Sequence, residues 1–276
     1  MTPEQVLSRA REILAGNNIE DAALECELLL RHTLRISRVQ LYSDLDHEIS
    51  PEQEETFQHL IERRLNGDPK AYITGHREFY GLDFYVDPSV LIPRPESELL
   101  VEKALELAQN HTAPTIAEIG TGCGAIAVSL ALNLPQAKVY ATDISSPALK
   151  VALSNCQKHG VANRIRLLQG DMLDPLPEPV DIIVTNLPYV KESEINAEGF
   201  EPSLALNGGS DGLEKIRRLC LQLSNKLYPT GCLLLEIGQG QSRAVANFLH
   251  SLFPSAKIET TPDLSGIERV VSLILS

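Results

Sequence analysis

Apolar residues recur at helical spacing through the first part of the chain, residues 1–72. The recurrence begins at Val6, after a Thr-Pro-Glu-Gln sequence typical of a helix start, and it returns over residues 22–34 and 50–65. No part of this stretch alternates between apolar and polar residues as a half-exposed strand does. The pattern therefore predicts a small helical bundle over residues 1–72.

The pattern changes between Tyr72 and Pro95. Aromatic residues lie on both sides of Gly81 in E-F-Y-G-L-D-F-Y-V-D, which predicts a β-hairpin, within residues 73–92, that joins the bundle to the rest of the chain. Two prolines then flank Arg94, and the helix that follows begins with acidic residues. Rigid loops of this kind often line a binding site.

From residue 93 to residue 276, and most clearly after Thr115, strand-like runs alternate with helical segments. The predicted strands cover residues 115–119, 138–142, 164–168, 181–185, 232–237, 257–261 and 269–275. The predicted helices cover residues 125–134, 146–159, 213–227 and 243–252. Only one helix separates the last three strands, so a final hairpin should give a mainly parallel sheet an antiparallel edge. The predicted fold class is α/β, with a Rossmann-like sheet of seven strands.

The loop E-I-G-T-G-C-G-A after the first predicted strand carries the strongest single motif. Gly120, Gly122 and Gly124 let the backbone approach a ligand and lead into the N-terminus of a helix. The same residues satisfy the dinucleotide fingerprint G-x-G-x-x-A. Glu118, however, would repel a pyrophosphate and attract an ammonium or sulfonium group. The loop is therefore predicted to hold a nucleoside joined to an amino acid.

Acidic residues also follow the next two predicted strands. Asp143 stands about 20 residues beyond the glycines, where a carboxylate commonly binds ribose hydroxyls. Asp171 and Met172 follow the third strand, where an acid could meet the adenine amino group and a thioether could lie on the ring. With Thr121 and Cys123 of the glycine loop, they complete a predicted adenosine pocket. Cys123 is interpreted as a small residue in a tight loop and not as a nucleophile, because no base stands beside it.

The fourth predicted strand ends in Asn186-Leu187-Pro188-Tyr189. Ligands of open α/β sheets bind beyond the carboxyl ends of the strands, so this tetrad should face the crevice. Asn186 offers an amide oxygen to a substrate N–H, Pro188 restricts the backbone and Tyr189 offers a flat face. The four residues are predicted to form a clamp for a planar nitrogen group, either an amide or an exocyclic amine, and Asn186 is also predicted to contact the cofactor.

Composition and charge narrow the classes of function. The formal net charge of −13 argues against stable nucleic-acid binding, which depends largely on Lys and Arg. The five cysteines form no C-x-x-C pair, which is typical of reduced thiols and indicates no metal site. The N-terminus lacks a signal-peptide pattern, and no apolar run reaches the ~18 residues of a membrane span. We expect a soluble, cytoplasmic protein that binds neither a membrane nor a metal.

The chain resembles the HemK/PrmC family of protein-(glutamine-N5) methyltransferases, which modify peptide chain release factors. The most specific motif is Y-I-T-G-H-R-E-F-Y-G-L-D-F-Y-V-D-P-S-V-L-I-P-R-P-E-S-E-L-L-V-E at residues 72–102, and the others are E-I-G-T-G-C-G-A-I-A and, from Leu206, L-N-G-G-S-D-G-L. The resemblance extends over nearly the whole chain. It implies that residues 93–276 form a class I methyltransferase domain that uses S-adenosylmethionine and releases S-adenosylhomocysteine. It also implies that the bundle docks the protein substrate.

The resemblance implies an acceptor, the glutamine of a release factor's Gly-Gly-Gln tripeptide. Asn186, Pro188 and Tyr189 are then the predicted catalytic residues. The Asn186 oxygen would accept one amide N–H, a backbone carbonyl at residues 187–188 would accept the other, and Tyr189 would pack on the amide plane. Two positions depart from the family pattern: Leu187 replaces the first proline of N-P-P-Y, and Ser97 replaces the threonine of P-R-P-E-T-E.

Three other functions are compatible with parts of the pattern. A clamp for a planar amine also suits an N-methyltransferase of nucleic-acid bases, for which the discriminating feature is a basic face. The rRNA adenine dimethyltransferases commonly carry N-L-P-Y, but they tend to be basic and have their additional helices after the catalytic domain. An NAD-dependent oxidoreductase would use the fingerprint at residues 120–125, although Glu118 and the lack of an evident acid/base pair oppose it. A non-catalytic adaptor conflicts with an intact Asn186 and Asp143.

Overall fold

The computed structural model describes residues 1–196 and 199–275. The chain divides into two compact units, Met1–His76 and Arg77–Ser276. The boundaries inferred from the sequence, after residues 72 and 92, stay predictions.

The first unit is helical. Its helices are α1 (Pro3–Gly16), α2 (Ala22–Leu34), α3 (Arg38–Ser43), α4 (Pro51–Leu65) and α5 (Lys70–Thr74). Thr2, Ser37 and Ser50 each begin a helix with a capping box, in which the hydroxyl accepts from a backbone N–H and a glutamine three residues later reaches back. Helices α1, α2 and α4 pack around fully buried side chains that include Leu14 and Leu29. The predicted helical bundle is confirmed.

The second unit opens with the predicted hairpin. Strands β1 (His76–Phe79) and β2 (Leu82–Tyr85) pair around Tyr80 and Gly81, whose φ angles are 52° and 70°. Two successive residues with positive φ are the signature of a type I′ hairpin turn. Because Tyr80 has a Cβ, its left-handed conformation is less favourable than that of Gly81.

The described residues of the second unit form one seven-stranded sheet in the order β5-β4-β3-β6-β7-β9-β8. Its strands are β3 (Thr115–Ile119), β4 (Lys138–Asp143), β5 (Ile165–Gln169), β6 (Val180–Thr185), β7 (Leu227–Glu236), β8 (Lys257–Pro262) and β9 (Glu268–Ile274). Strands β3 to β7 pair in parallel, and β9 pairs antiparallel with both β7 and β8. The predicted α/β fold with an antiparallel edge is confirmed.

Helices cover this sheet. They are α6 (Glu98–Ala108), α7 (Ala125–Asn133), α8 (Ser146–Lys158), α9 (Ser203–Leu206), α10 (Glu214–Gln222) and α11 (Ser242–Leu252), and short 3₁₀ turns lie at Pro95–Ser97, Glu192–Glu194 and Leu223–Asn225. Helices α10 and α11 pack together over one apolar cluster, which includes Ile183 and Leu233. The alternation of side chains along a strand turns Ile182 and Val184 to the other face.

Two predicted boundaries are wrong, because the strand expected over residues 232–237 already begins at Leu227 and the helix before it is shorter than expected. The helix expected over residues 213–227 ends at Gln222, and a 3₁₀ turn follows. The carbonyl of Lys226 accepts from the Val180 N–H, so the chain has already joined the sheet there, and Leu227 pairs with Val180. Strand pairing thus overrides a local apolar pattern that suits a helix.

Within residues 1–196 and 199–275, none of the helices combines the length and the apolar content that a transmembrane span requires.

Candidate active site

A cleft lies where the carboxyl ends of four neighbouring parallel strands, β3 to β6, meet. The residues that line it include Pro93, Arg94, Ser97, Glu118, Gly120, Thr121, Gly122, Cys123, Asp143, Ile144, Asp171, Met172, Asn186, Leu187, Pro188 and Arg218. This is the position at which open α/β sheets bind ligands. The structure therefore brings together most of the residues that the sequence nominated. Gly124 and Tyr189 stand outside the lining.

Glu118 fixes the glycine loop and the start of α7 through hydrogen bonds. It is 3% exposed, and its Oε2 accepts from Thr121 Oγ1 over 2.5 Å and from the Ala127 N–H over 2.9 Å. Burial raises the pKa of Glu118 to about 8, against the opposing effect of these two hydrogen bonds. A cation placed in the cleft would relieve this cost, because it favours the ionised carboxylate. The structure thus gives Glu118 a loop-forming role that the sequence did not predict.

The loop is fixed from the side by β4. The N–H groups of Gly120 and Thr121 both donate to the Thr142 carbonyl over 2.9 Å. The Gly122 N–H donates to Asp143 Oδ2 over 2.9 Å, and Gly122 has a φ of 54°. A Cβ added at Gly122 would meet no atom within 4 Å, so the space beside the Gly122 backbone is open. Open backbone beside an acidic residue suits an adenosyl group with a cationic side chain.

Asp143 is the second acid of the cleft. Its Oδ1 accepts from the Ser145 N–H over 2.9 Å, while its Oδ2 accepts from Gly122. Burial raises the pKa of Asp143, and hydrogen bonds from backbone N–H groups partly offset that rise. The carboxylate is therefore held in one orientation at the end of β4, where a ribose is expected.

Asp171 and Met172 follow β5 and line the same cleft. Asp171 forms an ion pair with Arg218, which also lines the cleft. Met172 is buried with a φ of 49°, and its carbonyl accepts from Thr142 Oγ1 over 3.0 Å. This bond fixes the backbone of the β5 loop to β4, so the predicted adenine wall is joined to the predicted ribose acid.

Gly124 and Cys123 contribute to the packing of the glycine loop. Gly124 precedes α7 with a φ of 83°, and a Cβ there would lie 3.3 Å from the Cβ of Ala152. Gly124 therefore permits close packing of α7 against α8. Burial raises the pKa of the Cys123 thiol to about 12, so this group stays protonated at neutral pH and is not a nucleophile.

The clamp residues follow β6. Leu187 is buried, and a Cβ added at Gly120 would lie 3.7 Å from Leu187 Cδ2, so this side chain lies over the glycine loop. The Tyr189 carbonyl accepts from Gln241 Nε2 over 3.0 Å. Among the described residues the carbonyl of Pro188 has no hydrogen-bond partner, which leaves it able to accept from a substrate.

Asn186 is tied to a buried hydrogen-bonded chain. Its Nδ2 donates to Ser97 Oγ over 3.0 Å, and Ser97 Oγ donates to Glu236 Oε2 over 2.6 Å. Tyr189 OH donates to Glu236 Oε1 over 3.2 Å. The Tyr189 ring therefore points its hydroxyl toward β7. Its predicted packing on an amide plane stays a prediction.

Arg94 and Glu201 form the rim. Glu201 Oε2 accepts from Arg94 Nη2 over 2.5 Å, and its Oε1 accepts from the Ile92 N–H over 3.0 Å. One carboxylate thereby fixes both the backbone and the side chain of the P-R-P loop.

Two functional residues were missed as such from the sequence, Ser97 and Glu236. The available signal for Glu236 was its place as a charged residue after the apolar run C-L-L-L. Thr185 pairs with Leu235 in parallel, so the next residues, Asn186 and Glu236, emerge side by side. For Ser97 the signal was a hydroxyl in the rigid loop, which the family pattern also carries.

The chain is similar to known proteins over nearly its whole length. Family models match twice: PrmC N-terminal domain over residues 5–75 and methyltransferase small domain over residues 95–201. The release factor glutamine methyltransferase of Moorella thermoacetica is 43% identical over 98% of this chain and 97% of its own. That of Geobacter sulfurreducens is 39% identical over 98% of this chain and 95% of its own.

Among solved structures, a ribosomal protein L11 methylase from Lactobacillus delbrueckii subsp. bulgaricus superposes with a TM-score of 0.51 at 23% identity. The match covers 69% of this chain and 83% of that one. At this identity it shows a shared methyltransferase fold.

Proposed function

Because the chain belongs to the family of release factor glutamine methyltransferases, we propose that it methylates the side-chain nitrogen of the glutamine in a release factor's Gly-Gly-Gln tripeptide. The methyl donor is S-adenosylmethionine. The observation that carries the proposal is the side-chain amide of Asn186 at the carboxyl end of β6, beside the glycine loop in one cleft. The bundle of the first unit is assigned to docking of the protein substrate, as the resemblance implies.

The donor set of the cleft fits the cofactor. Asp143 would hold the ribose, Asp171 and Met172 the adenine, and the loop of Gly120 and Gly122 the amino-acid portion. Burial raises the pKa of Glu118 to about 8, and a cationic cofactor bound beside it would favour its ionised form. When bound, S-adenosylmethionine supplies an electrophilic methyl group on a sulfonium.

The clamp is proposed to bind and orient the acceptor amide. An amide nitrogen is a poor nucleophile because its lone pair is delocalised into the carbonyl. Asn186 Oδ1 accepts one N–H of the substrate amide, and the Pro188 carbonyl accepts the other. Both oxygens carry partial negative charge, so they orient the nitrogen and stabilise the positive charge that grows on it. No strong base is required, because the product amide loses its proton readily after transfer.

The direct test is mass spectrometry of a purified release factor incubated with this protein and S-adenosylmethionine. We expect a gain of one methyl group, mapped to the glutamine of the tripeptide. A matched release factor with that glutamine replaced by alanine is the control and should gain none. Label found on added RNA, with an unmodified release factor, would instead favour a methyltransferase of nucleic-acid bases.

Asp143→Asn should weaken cofactor binding. The substitution keeps the shape but replaces an ionised acceptor, and hydrogen bonds to charged groups contribute about 1.5–3 kcal/mol. We expect the dissociation constant for S-adenosylhomocysteine, measured by isothermal titration calorimetry, to rise about 10- to 100-fold. Asp174→Asn, at an exposed position after β5, is the matched control and should bind as wild type does. Equal affinities of the two variants would remove Asp143 from the cofactor site.

A further inference from the structure

The amide of Asn186 has two possible orientations, and only one suits catalysis. With Oδ1 toward the cleft, the amide accepts a substrate N–H. With Nδ2 toward the cleft, its own N–H groups would face the substrate N–H, and two donors form no hydrogen bond. The two orientations have nearly the same shape, so packing alone does not choose between them. The choice depends on what lies behind the amide, which is Ser97 Oγ.

Glu236 decides the orientation of the Asn186 amide, because it determines where the hydroxyl proton of Ser97 points. Its carboxylate is 1% exposed and, when ionised, only accepts hydrogen bonds. The single hydroxyl proton of Ser97 is therefore committed to Glu236 Oε2, over 2.6 Å. Ser97 Oγ then has only lone pairs left for its other neighbour. The Asn186 group that faces it must be the NH₂ donor, which places Oδ1 on the opposite side.

We propose that Glu236 is a positioning residue for methyl transfer, which acts through Ser97 to fix the Asn186 amide with its oxygen toward the acceptor nitrogen. The inference rests on the proposed function and adds to it a residue that never contacts the substrate. Tyr189 OH donates to the second carboxylate oxygen, so the two polar side chains of the clamp are both tied to one buried carboxylate. These hydrogen bonds connect the P-R-P loop, β6 and β7, which keeps the geometry of the clamp rigid.

The charge state of Glu236 gives the mechanism a pH dependence. Burial raises the pKa of Glu236, while hydrogen bonds from Ser97 and Tyr189 and the charge of Arg269 on β9 lower it. Glu96, beside Ser97, raises it further. Protonated Glu236 can donate to Ser97, whose own proton is then free to turn to Asn186 and stabilise the reversed amide. Turnover is therefore present above the raised pKa and lost as the pH falls through it.

The test compares Glu236→Gln with two variants of the intermediate residue. Glu236→Gln keeps the size but can donate as well as accept, so kcat should fall about 10- to 100-fold, the scale of a misplaced reacting group. Affinity for S-adenosylhomocysteine should stay at the wild-type value. Ser97→Ala should lower kcat equally, and Ser97→Thr, which keeps the hydroxyl, should restore most of it. Glu259→Gln on exposed β8 is the matched control.

Two readouts separate positioning from a merely structural role. The acid limb of the wild-type kcat–pH profile should disappear in Glu236→Gln. In ¹⁵N NMR of the full chain, the Asn186 Nδ2 protons, assigned by their loss in Asn186→Ala, should exchange slowly in wild type and rapidly in Glu236→Gln.

Wild-type kcat in Glu236→Gln, or unchanged exchange, would overturn the inference. If Glu236→Gln does not fold, as judged by lost cofactor binding, the Ser97 pair decides: equal kcat in the alanine and threonine variants contradicts the proposal. A wild-type chain that transfers no methyl to the release factor would overturn the proposed function instead. The NMR comparison needs no substrate, so it would still decide the amide orientation.

Discussion

Replacing Asn186 with alanine is expected to lower kcat for release factor methylation by about 10²- to 10³-fold, the loss seen when one preorganised polar group leaves an active site. The substitution removes the oxygen that accepts the substrate N–H and leaves the cleft open. It also releases Ser97 Oγ from its donor. Single-turnover measurement with saturating S-adenosylmethionine gives the chemical rate directly.

The size of this effect follows from where the interaction is made. The acceptor nitrogen is nearly neutral in the ground state and gains positive charge as it attacks the methyl group. The attraction to Asn186 Oδ1 therefore strengthens toward the transition state, so its loss lowers kcat more than it raises KM. The cofactor is bound mainly through the ends of β3, β4 and β5, so its dissociation constant should change only modestly.

Asn225→Ala is the matched control, since Asn225 is exposed in the 3₁₀ turn before β7. It should turn over as wild type does. A near wild-type rate in Asn186→Ala would show that the clamp does not act on the acceptor. A large loss of cofactor affinity would instead place Asn186 mainly in the cofactor site, a contact that the sequence also predicts.

The parts of the site that depend on local sequence could be predicted. Gly120 and Asn186 directly follow apolar strands, Asp143 is the last residue of another, and the carboxyl ends of parallel strands meet at one edge of the sheet. The strand pattern alone therefore places these residues in one crevice. It does not say what each side chain touches, which is why the loop-holding role of Glu118 was not foreseen.

The parts that depend on tertiary packing could not be predicted. Ser97 and Glu236 are separated by 139 positions in the chain, and no periodicity relates a hydroxyl in a loop to an acid at the end of a strand. The flat face of Tyr189 predicts packing on the substrate amide, and this stays a prediction. What the sequence did not predict is that its hydroxyl reaches Glu236, since a buried carboxylate requires donors.

The glycine-rich sequence L-N-G-G-S-D-G-L illustrates the difference between recognising a motif and explaining it. The Val190 N–H donates to the Leu206 carbonyl over 3.1 Å, and the Gly208 N–H donates to the Val190 carbonyl over 2.8 Å. A Cβ at Gly208 would lie 2.8 Å from both the Pro188 carbonyl oxygen and Tyr189 Cα. The loop therefore runs directly behind the clamp backbone, and its glycines allow that approach.

Gly212→Ala is expected to destabilise the protein and to impair methyl transfer together. Gly212 has a φ of 77°, and its added Cβ would lie 2.4 Å from the Tyr189 carbonyl oxygen and 2.9 Å from Gln241 Nε2. These are the two atoms of the hydrogen bond that holds the end of the clamp. The left-handed conformation costs about 1–2 kcal/mol for a residue with a Cβ, and overpacking costs about 1–3 kcal/mol more. The backbone of Tyr189 must move to relieve the clash.

Gly240→Ala separates the two costs, because Gly240 has a φ of 82° and a Cβ there would meet no atom within 4 Å. This variant should lose only the conformational part, about 1–2 kcal/mol of the free energy of unfolding in urea, followed by circular dichroism. It should keep wild-type turnover, whereas Gly212→Ala should lose about 2–5 kcal/mol and methylate at least about 10-fold more slowly. Equal stability and equal turnover of the two alanine variants would mean that the loop behind Tyr189 does not hold the clamp. A selective loss in Gly212→Ala would mean that the backbone behind the acceptor, and not only the side chain of Asn186, sets the rate.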